Sequence, residues 1–183
     1  MADKSEFESV AMVHIGAVYK TAVALCSDRQ EAEDLVQVTF LKAFERFESF
    51  KKGTNCKAWL LTILRNKWVD QLRHRSFLGE TLPVDETVVA KDEGDGQVSW
   101  SNCRDLLENF SDEQVITALK ELPDEQRLAL FLSDVEQLRQ EEIGEIMCVP
   151  IGTVKSRVSR ARASLKKRLL SYAKEMGFVG DQR

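Results

Sequence analysis

From residue 6 to residue 26 apolar side chains recur at helical spacing: Phe7, Val10, Met12, Val13, Ala17, Val18, Ala22 and Leu25. The pattern predicts one amphipathic helix over 6–26. Ser27 and Asp28 offer N-cap oxygens to a second helix. It runs to about Phe47, with Val36, Phe40, Ala43, Phe44 and Phe47 as its inward stripe. A short polar loop over 50–55 leads to a third helix at about 57–75. Its core face is Ala58, Leu61, Leu64, Trp68 and Leu72. These three helices read as one all-α unit.

The pattern then fails. Residues 76–101 hold Gly79, Pro83, Gly94 and Gly96 among Glu80, Asp85, Glu86, Asp92, Glu93 and Asp95, with Lys91 as their one basic residue and no sustained period. Such a segment reads as a flexible acidic linker with a mean reach of roughly 25–30 Å. Helical periodicity returns between Asn102 and Asp112. A helix over 114–122 is stopped by Pro123. Asp124 is placed to cap the next, over 125–133, and a short helix follows over 140–147. Cys148-Val149-Pro150 breaks the chain before a long last helix at about 152–176. The expected fold is all-α: a helical domain over 1–75, a linker over 76–101, a second helical domain over 102–176 ending in a helix-turn-helix, and a short tail over 177–183.

Composition narrows the class. A chain of 183 residues with 43% hydrophobic content suits one ordinary domain or two small ones. Glycine (9) and proline (3) are too scarce for a turn-rich β fold. No apolar run approaches the roughly 18 residues of a membrane span, and MADKSEFESV lacks the basic-then-apolar order of a secretory signal. A cytoplasmic protein without membrane insertion is expected. Cys26, Cys56, Cys103 and Cys148 are far apart in sequence, as are His14 and His74, so neither a metal site nor a bound cofactor is expected. No Gly-rich phosphate loop, carboxylate pair or Ser/His or Cys/His constellation speaks for an enzyme. The net charge of −4 does not announce a nucleic-acid binder; the distribution of that charge does.

In the last helix Val154, Val158, Ala161, Leu165 and Leu169 are spaced 4, 3, 4, 4 and share one face. The other faces carry Lys155, Arg157, Arg160, Arg162, Lys166, Lys167 and Arg168, with no acid between Val149 and Lys174. Thr153, Ser156 and Ser159 sit among the bases of its N-terminal half. A major groove admits such a helix, its N-terminal turns touching base edges and its flanks phosphates. The short helix before it contains Gly144, which costs about 1 kcal/mol against alanine; a close helix–helix approach would account for it. Helix, tight turn and basic helix make a helix-turn-helix.

This stretch resembles region 4 of sigma factors. The matching residues are Ala118-Leu119, Leu122-Pro123, Arg127, Leu130, Glu136, Glu141-Glu142-Ile143, Glu145-Ile146 and Pro150, then Gly152-Thr153-Val154-Lys155-Ser156-Arg157 and Arg160-Ala161-Arg162. Two departures stand out: the family often has Gly-Leu-Ser where this chain has Gln137-Leu138-Arg139, and alanine where it has Gly144. The resemblance implies that Thr153, Lys155, Ser156, Arg157, Arg160 and Arg162 read the −35 promoter element.

The N-terminal unit carries a second basic site. Thr62, Asn66, Asp70 and Arg73, spaced 4, 4, 3, form a polar edge opposite the core stripe of the third helix. Arg65, Lys67, His74 and Arg75 flank it, and the preceding loop adds Lys51, Lys52, Asn55 and Lys57. Basic groups hold phosphates, while Asn and Thr hydrogen-bond exposed base edges. Trp59 and Trp68 are read as core rather than as stacking platforms. On the second helix Asp34, Gln37 and Leu41, with Val38 beside them, form an outward face whose apolar members suggest a protein contact.

Glu33-Asp34-Leu35-Val36-Gln37, Thr39-Phe40-Leu41-Lys42-Ala43-Phe44, Phe47, and Ala58-Trp59-Leu60 through Arg65-Asn66 to Asp70 and Leu72-Arg73 resemble region 2 of extracytoplasmic-function (ECF) sigma factors, with Val38 where an acid is common. The resemblance implies core RNA polymerase as partner, through its β′ coiled coil and β subunit, with docking on Asp34, Gln37 and Leu41. It implies capture of the −10 element as single-stranded DNA by Lys51, Lys52, Asn55, Thr62, Asn66, Asp70 and Arg73. It implies an anti-sigma factor as a further partner. The competing reading is an autonomous helix-turn-helix regulator, which leaves the N-terminal basic edge and the outward Leu41 without a purpose.

Overall fold

The structure is a computed structural model, and it describes residues 4–26, 29–77 and 113–175. The expected linker over 76–101, the capping pair Ser27 and Asp28, Cys103 and the tail over 177–183 lie wholly or almost wholly outside those residues. Every long described element is helical. The N-terminal module holds α1 (Lys4–Ala11), a 3-10 turn (Met12–His14), α2 (Ile15–Leu25), α3 (Arg29–Glu45), a second 3-10 turn (Phe47–Ser49) and α4 (Cys56–Phe77). The C-terminal module holds α5 (Glu113–Lys120), α6 (Asp124–Asp134), α7 (Gln140–Met147) and α8 (Ile151–Glu175). No helix among the described residues is long and apolar enough to cross a membrane.

The first predicted helix is two. Residues 10–13 and 15 are all apolar, so periodicity does not choose a face there. Ala11 packs fully inside, and the tight turn at Met12–His14 swings its neighbours outward. Met12 and Val13, expected in the core, are exposed, Val13 at 71%. The next two stripes fare better. Val36, Ala43, Phe47, Leu61, Leu64 and Trp68 are buried, with Phe40, Phe44, Ala58 and Leu72 packed against them. Phe7 meets Phe44 and Phe47 edge to face, each at 5.2 Å between ring centres. Trp59 lies tilted on Phe50 at 4.9 Å. Full burial of one such side chain contributes about 1.5–3 kcal/mol, so this aromatic layer anchors α1 and the loop before α4 to one core.

The C-terminal module departs from expectation at two caps. Pro123, not Asp124, occupies the N-cap position of α6, and Asp124 opens the helix as a partner of Arg127. Ahead of α7, Gln137 adopts φ +53°, a left-handed conformation that suits glycine and disfavours other residues. The Gly-Leu-Ser pattern of the resembling family would fit this backbone without a Cβ. The cap survives on its other half: the Arg139 amide donates to the Glu142 carboxylate at 2.9 Å. Gly144 is also explained, though not by a helix pair alone. A Cβ there would stand 3.0 Å from the Val149 carbonyl oxygen, in the turn that reverses the chain onto α8.

The two helical modules pack against each other through a common apolar core. A single buried cluster runs from Leu25, Leu60 and Leu64 of the first module to Leu128, Leu132, Ile143, Ile146 and Val154 of the second. Helix α2 packs on α6, and α4 on α7. A separate cluster of Val115, Leu119, Leu122, Leu130, Ala161, Leu165 and Leu169 holds α5 and α6 against α8.

Candidate nucleic-acid and polymerase interface

Helix α8 buries Val154, Val158, Ala161, Leu165 and Leu169, the stripe its spacing predicted. That fixes the direction of everything else on it. Lys155, Arg160 and Arg162 are exposed, whereas Thr153, Ser156 and Arg157 are half-buried at its edge. The Ser156 hydroxyl donates to the Thr153 carbonyl at 3.0 Å, a bond within the helix.

The sequence showed no acid near these bases; the fold supplies several. Arg157 donates to Glu125 at 2.8 Å. Arg162 makes a two-point bond to Asp134, at 2.6 and 3.0 Å. Arg168 pairs with Glu121. Helix α6 and the end of α5 therefore clamp one flank of α8. Long arginines held this way lose rotamer freedom before any ligand arrives. No sequence signal marked these partners, because each lies about 30 residues or more away.

The loop before α4 turns at Gly53, with φ +84°, closed by Thr54 N–H to the Lys51 carbonyl at 3.2 Å. Lys51 and Lys52 project from it, and Lys52 pairs with Glu6. Asn55 is the N-cap of α4: its Oδ1 accepts from the Ala58 amide at 3.1 Å. Its Nδ2 donates across to Glu142 of α7 at 2.7 Å. Beyond it, Asn66, Asp70 and Arg73 are exposed along one edge of α4. Asn66 accepts from Arg65 at 3.2 Å, and Asp70 and Arg73 approach to 4.0 Å. Thr62 faces back, its hydroxyl bonded to the Ala58 carbonyl at 2.9 Å. Asn66, Asp70 and Arg73 thus share one exposed edge, while Thr62 and Asn55 are turned to partners elsewhere in the chain.

The outward face of α3 stands clear. Asp34 and Gln37 are exposed, and Leu41 and Val38 are open at 59% and 39%. Gln30 donates to Asp34 at 3.3 Å along the helix. Two open apolar side chains one turn apart, ringed by polar groups, have the make-up of a protein contact.

One residue that joins the modules went unassigned in the sequence. Arg127 is buried at 6% exposure within the apolar run of α6. Its guanidinium donates to the carbonyls of Lys120 at 3.0 Å and of Leu25 at 3.2 Å, and to Asp124. Leu25 ends α2, so a cation here also meets the negative end of that helix.

Comparison with known proteins decides the family. Residues 11–77 match the family described as Sigma-70 region 2, and residues 112–165 match Sigma-70, region 4. The chain belongs to the ECF sigma factors of the sigma-70 family. This sigma factor is 31% identical over 179 residues to the RNA polymerase sigma-H factor of Pseudomonas aeruginosa, covering 94% of this chain and 91% of that one. It is 33% identical to the ECF sigma factor SigE of Mycolicibacterium smegmatis, covering 92% of this chain but spanning 63% of that protein's length. Among solved structures it resembles the sigma factor RpoE of Bartonella quintana, crystallised with the anti-sigma factor NepR. That match has 32% identity and a TM-score of 0.71 over 90% of this chain and 96% of that one. The region 2 match removes the autonomous-regulator reading, which had no use for residues 11–77. An ECF sigma factor directs RNA polymerase to promoters.

Proposed function

We propose that this sigma factor divides its work over three surfaces. The α3 face of Asp34, Gln37 and Leu41 docks on the β′ coiled coil of core RNA polymerase. The N-terminal half of α8 enters the major groove of the −35 element, with Lys155 and Arg160 free to reach DNA and Arg157 and Arg162 aimed by Glu125 and Asp134. The loop Lys51–Asn55 and the α4 edge of Asn66, Asp70 and Arg73 hold the −10 element as an unpaired strand. Its partners are thus core polymerase, including the β subunit, and promoter DNA. An anti-sigma factor that covers these faces is a further partner, as NepR is for the Bartonella relative. The setting is cytoplasmic.

The observation that carries this reading is the segregation of charge. In a chain of net charge −4, exposed bases gather on α8 and around the α4 edge, each opposite a buried apolar stripe. A single short helix making two or three base contacts, each worth about 1–3 kcal/mol, does not select promoters against a genome of competitors. Two tethered readers raise the local concentration of the second to about the millimolar range when polymerase fixes their spacing. No hydrolysis is needed: holding the strand offsets a few kcal/mol of unstacking per base.

Run-off transcription with core polymerase on a genomic promoter library tests the whole. Promoter-specific transcripts that depend on the protein are expected. Asp34→Arg should abolish polymerase binding while the helical content stays that of wild type. Asn66→Ala should weaken open-complex formation while polymerase binding persists; equal loss of both would argue against strand capture at Asn66.

A further inference from the structure

Asn66 stands on the exposed edge of α4, and its amide has two unlike ends. Oδ1 accepts hydrogen bonds, and Nδ2 donates them. Which end faces a base decides what that base must offer. The neighbouring residue makes the choice. Arg65 Nη1 donates to Asn66 Oδ1 at 3.2 Å. A guanidinium has donors and no acceptor, so it takes the oxygen end and refuses the nitrogen end. Nδ2 has no partner among the described residues and is the end left for a ligand.

Helical spacing alone does not produce this bond, because adjacent positions of a helix do not face each other. Arg65 folds its long arm along the helix surface to reach its neighbour. Its side chain is half-buried, and its Nε is closed off from water with no hydrogen-bond partner. Burying an N–H unpaired is unfavourable, so such an atom in a folded protein calls for a reason. An arginine kept only to attract phosphate would hold its whole guanidinium in water. Arg65 is instead packed at its Nε and reaches Asn66 with Nη1. The next polar pair along the edge, Asp70 and Arg73, lies one turn further on and approaches to 4.0 Å.

What a fixed donor selects follows from base chemistry. Thymine and guanine carry an exocyclic carbonyl, O4 or O6, which accepts from Nδ2. Cytosine and adenine carry an amino group there, N4 or N6, which donates. Against Nδ2 that group sets donor on donor. An asparagine free to turn would accept from the amino group with Oδ1; an asparagine held by Arg65 does not.

We propose that Arg65 is a positioning residue: it fixes the Asn66 amide with Nδ2 outward, and this point of the strand site thereby selects a keto base, thymine or guanine. The proposal rests on the assignment of the α4 edge to the −10 strand. It adds a rule of base choice that neither the charge of the edge nor Asn66 alone supplies, because an unrestrained amide reads either class.

The test uses the full chain bound to core polymerase. The probe is a promoter recovered by run-off transcription and pre-opened with a mismatched bubble over the −10 element. Each non-template position is varied through all bases, and the lifetime of the complex is measured. The position at which Asn66→Ala levels the lifetimes is the one Asn66 reads. There the wild type should hold thymine or guanine about three- to tenfold longer than cytosine or adenine, the range one neutral hydrogen bond supplies. Arg65→Met should erase that preference and leave the preferences at other positions. Arg65→Lys retains a donor for Oδ1 and should retain most of it. A general loss of packing or of phosphate attraction shortens all lifetimes together and leaves their ratio unchanged. A wild-type preference for cytosine or adenine, or a ratio unmoved by Arg65→Met, overturns the proposal.

Should Arg65→Met lose helical content, Asn66→Asp reads the same point with Arg65 intact. Aspartate only accepts, so it should reverse the preference toward cytosine and adenine. An aspartate variant that keeps the wild-type preference counts against an outward Nδ2. Failure of the underlying assignment looks different. If Asn66→Ala levels no position, Asn66 does not touch the strand, and the rule of base choice falls with that assignment.

Discussion

The two surfaces proposed to face DNA have their polar groups restrained in opposite ways. On α8, Arg157 and Arg162 are held by Glu125 and Asp134, acids of their own module. At the start of α4, Asn55 and Lys57 are held by Glu142 and Glu136, acids of the other module. Restraint within a module persists when the modules part, and so it pre-organises the reader. Restraint between modules lasts only while the modules stay packed together. The same chemistry, a carboxylate on a cationic or amide donor, therefore ties one surface within its own module and the other across the seam between modules.

The largest effect should come from the residue that serves both kinds of restraint. Arg127→Ala removes donors from the carbonyls of Lys120 and Leu122 within its module and from Leu25 across the interface. Hydrogen bonds from a charged donor contribute about 1.5–3 kcal/mol, and buried acceptors left bare add to the loss. Urea denaturation should show the full chain destabilised by about 2–4 kcal/mol. Arg127→Lys should recover little, because one ammonium does not reproduce a fork that reaches several carbonyls. A loss below about 1 kcal/mol would mean that the interface leans on its apolar contacts alone.

Next in size is the restraint on α8. Asp134→Ala releases Arg162 from its two-point bond while leaving the α8 core untouched. The pair is half exposed, so stability should change by less than about 1 kcal/mol. Binding should change more. A released guanidinium adds roughly one phosphate contact, so the salt slope of non-specific duplex binding should steepen by about 1, and discrimination between −35 sequences should fall. An unchanged slope would show that Asp134 does not compete with phosphate for Arg162.

Much of this molecule was legible in its sequence. The α8 stripe was, because Val154 to Leu169 keep one strict period and bases occupy every other face. The α1–α2 break was not, because a run of apolar residues from 10 to 13 carries no period to read. Exposed Asp34, Gln37 and Leu41 followed from their place opposite the buried Val36 and Ala43. The acids that hold Arg157, Arg162, Asn55 and Lys57 were invisible, since contacts over 28 to 87 residues leave no local pattern.

Gln137 lies between these cases. Its departure from glycine was visible, and the backbone shows what it means: a left-handed residue that carries a Cβ. Gln137→Gly should stabilise the chain by about 0.5 kcal/mol. It relieves a strain of about 1–2 kcal/mol but returns part of that as unfolded-state entropy. Thermal unfolding checks it, and a fall in midpoint would show that the side chain itself contributes to the turn before α7.

The smallest effect separates the two restraints by pH. His14 lies at the turn between α1 and α2, near Lys57 and Glu136. Burial lowers its pKa below 6.5, and Lys57 lowers it further, against an opposing pull from Glu136. With the folded value below the unfolded one, the unfolded chain binds more protons between the two, so stability rises with pH across that window. The neutral imidazole supports the packed form fully above about pH 6.5, and the support fades as pH falls toward the folded value. Wild type should therefore lose melting temperature more steeply than His14→Gln between pH 7 and 5.5. The clamp on α8 contains no histidine, so the salt slope of duplex binding should stay flat over the same range. Parallel pH curves for wild type and His14→Gln would detach His14 from the Lys57–Glu136 contact and leave the inter-module restraint without a pH dependence of its own.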